Sequence, residues 1–133
     1  MKMKSKLLSV IFITFFAFTA ISCSKEDNVP VNEAVGTFTG NLTVYPKTGP
    51  SKAYSNSILT ITSAGEGKIK VSPAASTNGT PETFEVFSEA GSIVNPENDP
   101  KGIFIYYAED KSLNVSTLTG TATMKFTFKG YKN

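Results

Sequence analysis

The chain has 133 residues, a formal net charge of +2, one cysteine, and neither histidine nor tryptophan. Every basic residue is a lysine. Without histidine, the usual general base and the commonest metal ligand are both missing. Without arginine, the side chain best suited to bidentate phosphate recognition is missing as well. The composition therefore argues against most catalytic sites and against nucleic-acid binding.

The N-terminus carries an export pattern. Lys2, Lys4 and Lys6 make a basic start, and residues 7–21 form an almost unbroken apolar run. This order is typical of a secretory signal. A transmembrane helix is the weaker alternative, because 15 helical residues cover only about 22 Å of a hydrocarbon core about 30 Å thick.

The residues before the single cysteine specify the kind of signal. Ala20, Ile21 and Ser22 lead directly to Cys23, and this stretch resembles a bacterial lipobox, whose cysteine is acylated. The resemblance implies a lipoprotein signal peptide over 1–22 and a membrane partner reached through lipid on Cys23. A cleaved signal without lipid is the alternative. Removal of the signal takes three of the 13 basic residues away and leaves ten against 11 acidic residues, so the mature charge is about −1.

The residues after the cysteine contain a second localisation signal. Ser24, Lys25, Glu26 and Asp27 resemble the export signal of surface lipoproteins in Bacteroidota. The resemblance implies an outer-membrane location with exposure at the cell surface, and a periplasm-facing position is the alternative. Residues 23–34 as a whole are polar and aperiodic, which predicts a lipidated cysteine followed by a flexible tether.

Residues 35–133 form one predicted domain. In 37–44 and again in 122–129, apolar residues alternate with polar ones, which indicates strands with one buried and one wet face. Shorter alternating stretches lie between them, separated by turn signals such as Ala64-Gly65-Glu66-Gly67. The pattern predicts an all-β domain with eight strands: 35–45, 56–63, 67–73, 82–88, 91–95, 101–108, 111–117 and 121–130.

Short links between neighbouring strands favour an eight-stranded antiparallel up-and-down barrel, which removes exposed sheet edges. A two-sheet β-sandwich is the alternative. An eight-stranded barrel has an interior just wide enough for side chains to fill it. The residues predicted to fill it are Phe38, Leu42, Ile61, Phe84, Ile105, Met124, Phe126 and Phe128.

The opening strand Gly-Thr-Phe-Thr-Gly-Asn-Leu-Thr-Val (36–44) and the closing Phe-Thr-Phe-Lys-Gly (126–130) carry a further likeness. Together with the lipobox and acidic tether, they resemble calycin-like lipoproteins of Bacteroidota. The resemblance implies a lipocalin- or streptavidin-like barrel with no assigned activity. Lipocalins open on glycine-x-tryptophan, whereas here Phe38 takes the place of the tryptophan.

No catalytic site, cofactor or metal site is predicted. Glu82 and Glu85 point to opposite faces of a strand, and Glu109-Asp110 suits a hairpin tip. The loop 95–99 is rich in side-chain oxygens, but it lacks the spacing of a calcium loop, and an ordinary turn is favoured.

Aromatic residues provide the candidate binding surface. Tyr45, Tyr54, Phe104, Tyr106 and Tyr107 are predicted to present a platform for a ligand, with core packing as the alternative. The predicted function is a non-catalytic, surface-anchored binding module for a small apolar molecule or a glycan. A protein-interaction or inhibitor domain that acts through the loops 46–55 and 74–81, or through the strand at 103–107, is the alternative. A pocket above about 300 Å³ would favour the ligand, and a filled interior would favour a module that acts at its surface.

The lipid prediction has a direct test. Two or more acyl chains hold a protein stably on a bilayer, at about 0.8 kcal/mol per buried methylene. Cys23→Ala is therefore expected to abolish membrane retention, measured by fractionation after salt washing. A variant that still sediments with membranes and is released only by detergent would contradict lipidation.

Overall fold

The computed structural model describes residues 29–133, and the predicted signal, Cys23 and the export residues 24–27 lie outside this range. The described chain is all-β, as predicted, with two short 3-10 helices, Val31–Ala34 and Ala75–Thr77. The strands are β1 Gly36–Pro46, β2 Lys52–Gly65, β3 Lys68–Pro73, β4 Glu82–Glu85, β5 Phe87–Glu89, β6 Ser92–Val94, β7 Ile103–Tyr107, β8 Ser112–Ser116 and β9 Met124–Lys132.

All nine strands belong to one antiparallel sheet in the order β4-β3-β2-β1-β9-β8-β7-β6-β5. Consecutive strands pair with each other, with two exceptions: β4 and β5 do not pair, and β1 also pairs with β9. The edge strands β4 and β5 are separated only by Val86, so the two edges must come together and the sheet curls into a nearly closed barrel. This single sheet replaces the sandwich alternative.

The strand count is nine rather than eight, because the predicted strand 82–88 changes partner in its middle. Its first half pairs with β3 and its second half pairs with β6. At the break, the Val86 amide donates to the Gly67 carbonyl at 2.9 Å. The Lys101 ammonium donates to the Thr83 carbonyl at 2.9 Å and bridges from the β6–β7 loop to β4.

The predicted loop 46–55 is also shorter than expected. β2 begins at Lys52, and its register against β1 shifts between Tyr54 and Ser57. Asn56 adopts a φ of +52° in this bulge, a left-handed conformation that asparagine tolerates better than most residues. The extra residue shifts which positions of β2 face inward: Tyr54 faces inward before the bulge, and Leu59 faces inward after it. A single alternating pattern therefore does not run through the whole strand, and the sequence did not indicate its first residues.

The barrel interior is filled. Six of the eight residues predicted to fill it are buried: Phe38, Leu42, Ile61, Phe84, Phe126 and Phe128. Met124 is partly buried against them. The placement of Ile105 was wrong, because Phe104 and Tyr106 are the inward residues of β7 and both are fully buried.

Aromatic contacts hold this interior together. The Phe38 and Tyr106 rings meet edge to face, with centroids 5.8 Å apart. The Phe84 and Phe104 rings lie 6.0 Å apart, which links the edge strand β4 to β7. The Phe84–Phe104 pair is tilted, whereas the Phe38–Tyr106 pair is edge to face; pairs at such separations stabilise a core by about 1 kcal/mol beyond the area they bury.

The N-terminal plug, residues 29–35, closes one end of the barrel, here called the proximal end. Ala34 is fully buried, and Val29, Val31 and Val35 pack against the core. The Val29 amide donates to Ser88 Oγ at 3.0 Å, and the Lys132 ammonium donates to the Glu33 carbonyl at 2.7 Å. The part of the predicted flexible tether that follows Asn28 is thus ordered packing, because its valines alternate onto the open end of the barrel.

Two glycines lie directly opposite each other in the pairing of β1 with β9. Gly40 and Gly130 are register partners, and a Cβ atom at Gly40 would lie 2.5 Å from the Gly130 Cα. A Cβ at Gly130 would lie 2.8 Å from both the Gly40 Cα and the Phe128 ring. The obstruction is mainly backbone, which cannot rotate out of the way.

Gly40→Ala is therefore expected to lower the free energy of unfolding by about 3 kcal/mol, the upper range for overpacking. Denaturant unfolding measures the change. Gly49→Ala is the control, because it has no neighbour within 4 Å of the added carbon and carries only the strain of its φ of +99°. Equal losses at the two positions would contradict the steric explanation.

Candidate functional site

The distal end of the barrel lies opposite the plug, where β1 turns into β2 and the chain leaves β3. Residues 74–81 connect β3 to β4 and are here called the crossing segment. Between the two strands, they cross this end of the barrel and contact the start of β9. Thr80 joins them to β9, because its amide donates to the Met124 carbonyl and its hydroxyl accepts from the Met124 amide, both at 3.0 Å. The crossing segment thereby covers part of the distal mouth.

A pocket of about 270 Å³ lies between the crossing segment and the β1–β2 hairpin. Its apolar side combines core-contacting side chains with two prolines, and its polar side carries hydroxyl, amide and ammonium groups. The lining residues are Val44, Pro46, Thr48, Pro50, Lys52, Tyr54, Thr77, Asn78 and Met124. We call this the mouth pocket. Its volume is below the lower bound of about 300 Å³ for ordinary ligand sites, and the barrel interior is filled. The structure therefore leaves room only for a small ligand held at the surface of the barrel.

The floor of the mouth pocket is rigid. Val44 is buried on β1, and Thr77 is buried on the crossing segment. The Thr77 hydroxyl donates to the Ala74 carbonyl at 2.6 Å, which fixes the short helix there. Asn78 follows with a left-handed φ of +61° and ends that helix. A mouth with a fixed floor loses little conformational freedom when a ligand binds.

Four other depressions on the barrel have volumes of about 340–470 Å³. They lie on loops or on the outer face of the sheet, and most of their lining residues are exposed or half-buried. Contact with the core does not single out the mouth pocket, since Val115 and Phe128 of the core line one of the other depressions. The mouth pocket differs because it lies across the distal end of the barrel, where Val44 and Thr77 are buried and Tyr54 and Met124 pack against the core. For this reason we regard it as the candidate site.

The five aromatic candidates do not share one surface. Tyr54 lines the mouth pocket, whereas Tyr45 lines a separate depression beside the β8–β9 loop. Tyr107 is exposed on the outer face of β7, and Phe104 and Tyr106 belong to the core. Of the predicted platform, only Tyr54 lies in the mouth pocket.

The alternative function predicted from the sequence named the two loops that line this pocket, 46–55 and 74–81, but the sequence did not predict that they meet. Thr77 and Asn78 lie in a stretch that reads as an ordinary polar loop, and nothing in that stretch indicates that it crosses the mouth. Met124 was expected to fill the interior instead of the mouth. The one usable signal was the pair Pro46 and Pro50, which bound the hairpin that forms the far wall.

Tyr106 connects the core to the plug. Its hydroxyl lies 3.5 Å from a Glu33 carboxylate oxygen, at the limit of a hydrogen bond. Burial, followed by the negative charge of Glu33, raises the pKa of the Tyr106 phenol above its usual 10.0. The folded state therefore favours the neutral phenol more than the unfolded state does.

The oxygen-rich loop after β6 satisfies its own groups. The Asn95 side-chain amide donates to the Gly102 carbonyl at 2.8 Å and to an Asp99 carboxylate oxygen at 3.1 Å. The Asn95 side-chain oxygen accepts from the Phe104 amide, and Asp99 accepts from the Lys101 amide, both at 2.9 Å. These contacts describe a self-bonded turn.

Acidic residues elsewhere are similarly engaged or separated. Asp110 accepts from the Ser112 hydroxyl at 2.7 Å and from the Ser112 amide at 3.0 Å. These bonds lower the pKa of the Asp110 carboxyl and make it part of the β7–β8 turn. Glu82 and Glu85 lie on opposite sides of β4, as predicted. Across residues 29–133, no group of three or more acidic or cysteine side chains is placed to hold a metal ion.

The raised pKa of Tyr106 predicts a loss of stability at high pH. Its contribution is fully present below pH 10, the unfolded value, and is lost as the pH rises through the higher folded value. Between about pH 9 and pH 11, denaturant unfolding of Tyr106→Phe should therefore show a smaller decline than the wild type. Glu33→Gln, which keeps the burial but removes the charge, should lie between them. Equal declines in all three proteins would contradict the shift.

No protein-family model matches the chain, and no curated protein or solved structure matches it either. Within residues 29–133, no helix is long and apolar enough to cross a membrane. The resemblance to calycin-like lipoproteins therefore stays a prediction. The function has to be argued from the mouth pocket and the surfaces around it.

Proposed function

We propose that the protein is a lipid-anchored surface lipoprotein whose barrel is a non-catalytic binding module. The ligand is a small molecule with an apolar face, such as a sugar ring or a compact apolar compound. It binds in the mouth pocket and does not enter the barrel, whose interior is filled by core side chains. The single observation that carries the proposal is the core-connected mouth pocket of about 270 Å³ beside Tyr54.

The chemistry of the pocket wall supports a ligand with one apolar and one polar side. Tyr54, Met124 and the prolines give a surface on which a ring can pack. Thr48, Asn78 and Lys52 also line the pocket and supply hydrogen-bond donors. Binding sites for small molecules commonly combine an apolar lining with a few placed polar groups in this way.

The anchor supports a role at the cell boundary. Val29 follows Cys23 by six positions in the sequence, and an extended chain of that length spans about 20 Å at most. The plug attaches this tether to the proximal end, and the mouth pocket lies at the distal end. A ligand arriving from outside the membrane therefore meets the open mouth without passing the tether.

The carboxylates of the described chain support a non-catalytic role. Asp99 and Asp110 accept hydrogen bonds from amides of their own turns, and Glu82 accepts from the adjacent Thr83 amide at 3.2 Å. Their bonding explains them as structural groups. A general acid and base would instead need two carboxyls converging on one cleft.

Tyr54→Ala tests the site, with Tyr45→Ala as the matched control on the opposite side of the same hairpin. The mature protein is titrated with N-acetylglucosamine, glucose and indole, and amide NMR shifts are followed. We expect at least one probe to shift the Thr77 and Asn78 amides. Tyr54→Ala should weaken its binding by about tenfold, which corresponds to about 1.4 kcal/mol, while Tyr45→Ala leaves it unchanged.

Two results would contradict the proposed site. If all probes leave the amides of the crossing segment unshifted up to millimolar concentration, the mouth pocket does not bind this class of ligand. If the two tyrosine variants weaken binding equally, the ligand lies outside the mouth pocket.

A further inference from the structure

We propose that the barrel rests against the lipid bilayer through the outer face of β5, β6 and β7. We call this face the β5–β7 wall; its apolar side chains are Phe87, Val94, Ile103, Ile105 and Tyr107. The proposal rests on the proposed lipid anchor and deepens it, because it assigns a membrane-facing side to the anchored domain. Its occupant is the boundary between lipid headgroups and acyl chains.

The wall is apolar across three neighbouring strands. Phe87 pairs with Val94, and Val94 pairs with Ile105, so these three side chains form one continuous row. Phe87, Ile103 and Tyr107 are 44%, 54% and 40% exposed. Bulky apolar residues that stay exposed side by side mark a contact surface, and exposed single residues would not.

The rest of the barrel has a different surface. The outward positions of β3 carry Lys68 and Lys70, and those of β9 carry Lys125 and Lys129. Outward positions of β1 and β8 are mostly threonine, serine and asparagine. On the β5–β7 wall, the one outward charge of the strands is Glu89, at the proximal border of the wall.

Exposed apolar side chains on other strands do not adjoin one another: Thr39 lies between Ile58 and Tyr131. Tyr45 is likewise exposed and pairs with Lys125. Among the described strands, the β5–β7 wall is the one that carries outward apolar side chains at directly paired positions.

The tether reaches the barrel beside this wall. The Val29 amide bonds to Ser88 Oγ at 3.0 Å, and Ser88 is the direct neighbour of Phe87 on β5. An acylated Cys23 lies within about 20 Å of that point along the chain. The anchor therefore holds the wall close to the bilayer, where aromatic and aliphatic side chains partition into the interface.

The location of the mouth pocket agrees with this orientation. Its walls come from β9, β1, β2 and the crossing segment after β3. In the ring order of the sheet, these elements lie on the side of the barrel opposite β5–β7. A barrel that rests on the β5–β7 wall keeps its binding site turned toward the aqueous phase.

Single tryptophans test the orientation, since the chain has none of its own. Phe87→Trp and Tyr107→Trp place the reporter on the wall. Ile58→Trp is the matched control: Ile58 is 50% exposed and lies four strands from β7 around the ring. Ile58 and Tyr107 also belong to the same row of cross-strand partners, through Thr39, Tyr131 and Ser112. The full-length acylated variants are reconstituted in vesicles of phosphatidylethanolamine and phosphatidylglycerol with brominated acyl chains.

We expect blue-shifted emission and bromine quenching for Phe87→Trp and Tyr107→Trp, and neither for Ile58→Trp. Equal emission of all three on vesicles would overturn the proposal while leaving the anchor intact. Failure of any variant to join the vesicles would instead refute the lipid anchor. The same substitutions with Cys23→Ala are measured without vesicles. Blue-shifted wall reporters there would show that a second protein copy covers the wall, which also overturns the proposal.

Discussion

The pairing of the first strand with the last turns this chain into a ring. β1 and β9 are register partners from Phe38–Lys132 to Pro46–Met124, over nine consecutive positions. The Gly40–Gly130 pair lets their backbones approach closely near one end of this pairing. Because the ring is narrow, its inward side chains meet in the middle and fill it. The closed interior in turn leaves the mouths and the outer walls as the only places where the barrel can act.

The sequence predicted the parts of the fold in which one face of a strand is wet. β1 and β9 alternate cleanly, and both lie near their predicted positions. The prediction failed where the alternation is broken or absent. The bulge at Asn56 reverses the inward side within β2, and β7 is apolar on both faces, so that Ile105 was placed inside in place of Phe104 and Tyr106. The segment 82–88 changes partner at Val86, which is a feature of ring closure and has no local pattern.

The candidate site was harder to predict than the fold, because it is assembled from elements distant in the chain. The mouth pocket needs the crossing segment to reach β9 through Thr80, and this contact joins residues 44 positions apart. Of the five aromatic residues predicted to bind a ligand, only Tyr54 lines the mouth pocket. Residues 29–34 of the plug were read as part of a tether because Val29 and Val31 are sparse among polar residues. In a small domain, these two valines together with Ala34 and Val35 suffice to cover an open end.

The gap between β4 and β5, here called the seam, is the place where we expect the barrel to open locally. Elsewhere in the ring, neighbouring strands are joined by ladders of backbone hydrogen bonds. Between β4 and β5, the gap is bridged by a side-chain hydrogen bond from Lys101 to β4 and by the contact of Phe84 on β4 with Phe104 on β7. Local opening starts where cooperative backbone pairing is weakest. Transient opening of this seam would loosen β5, which holds the plug through the hydrogen bond from the Val29 amide to Ser88 Oγ. If the proposed lipid anchor is present, tension on it is passed through the plug to this part of the ring.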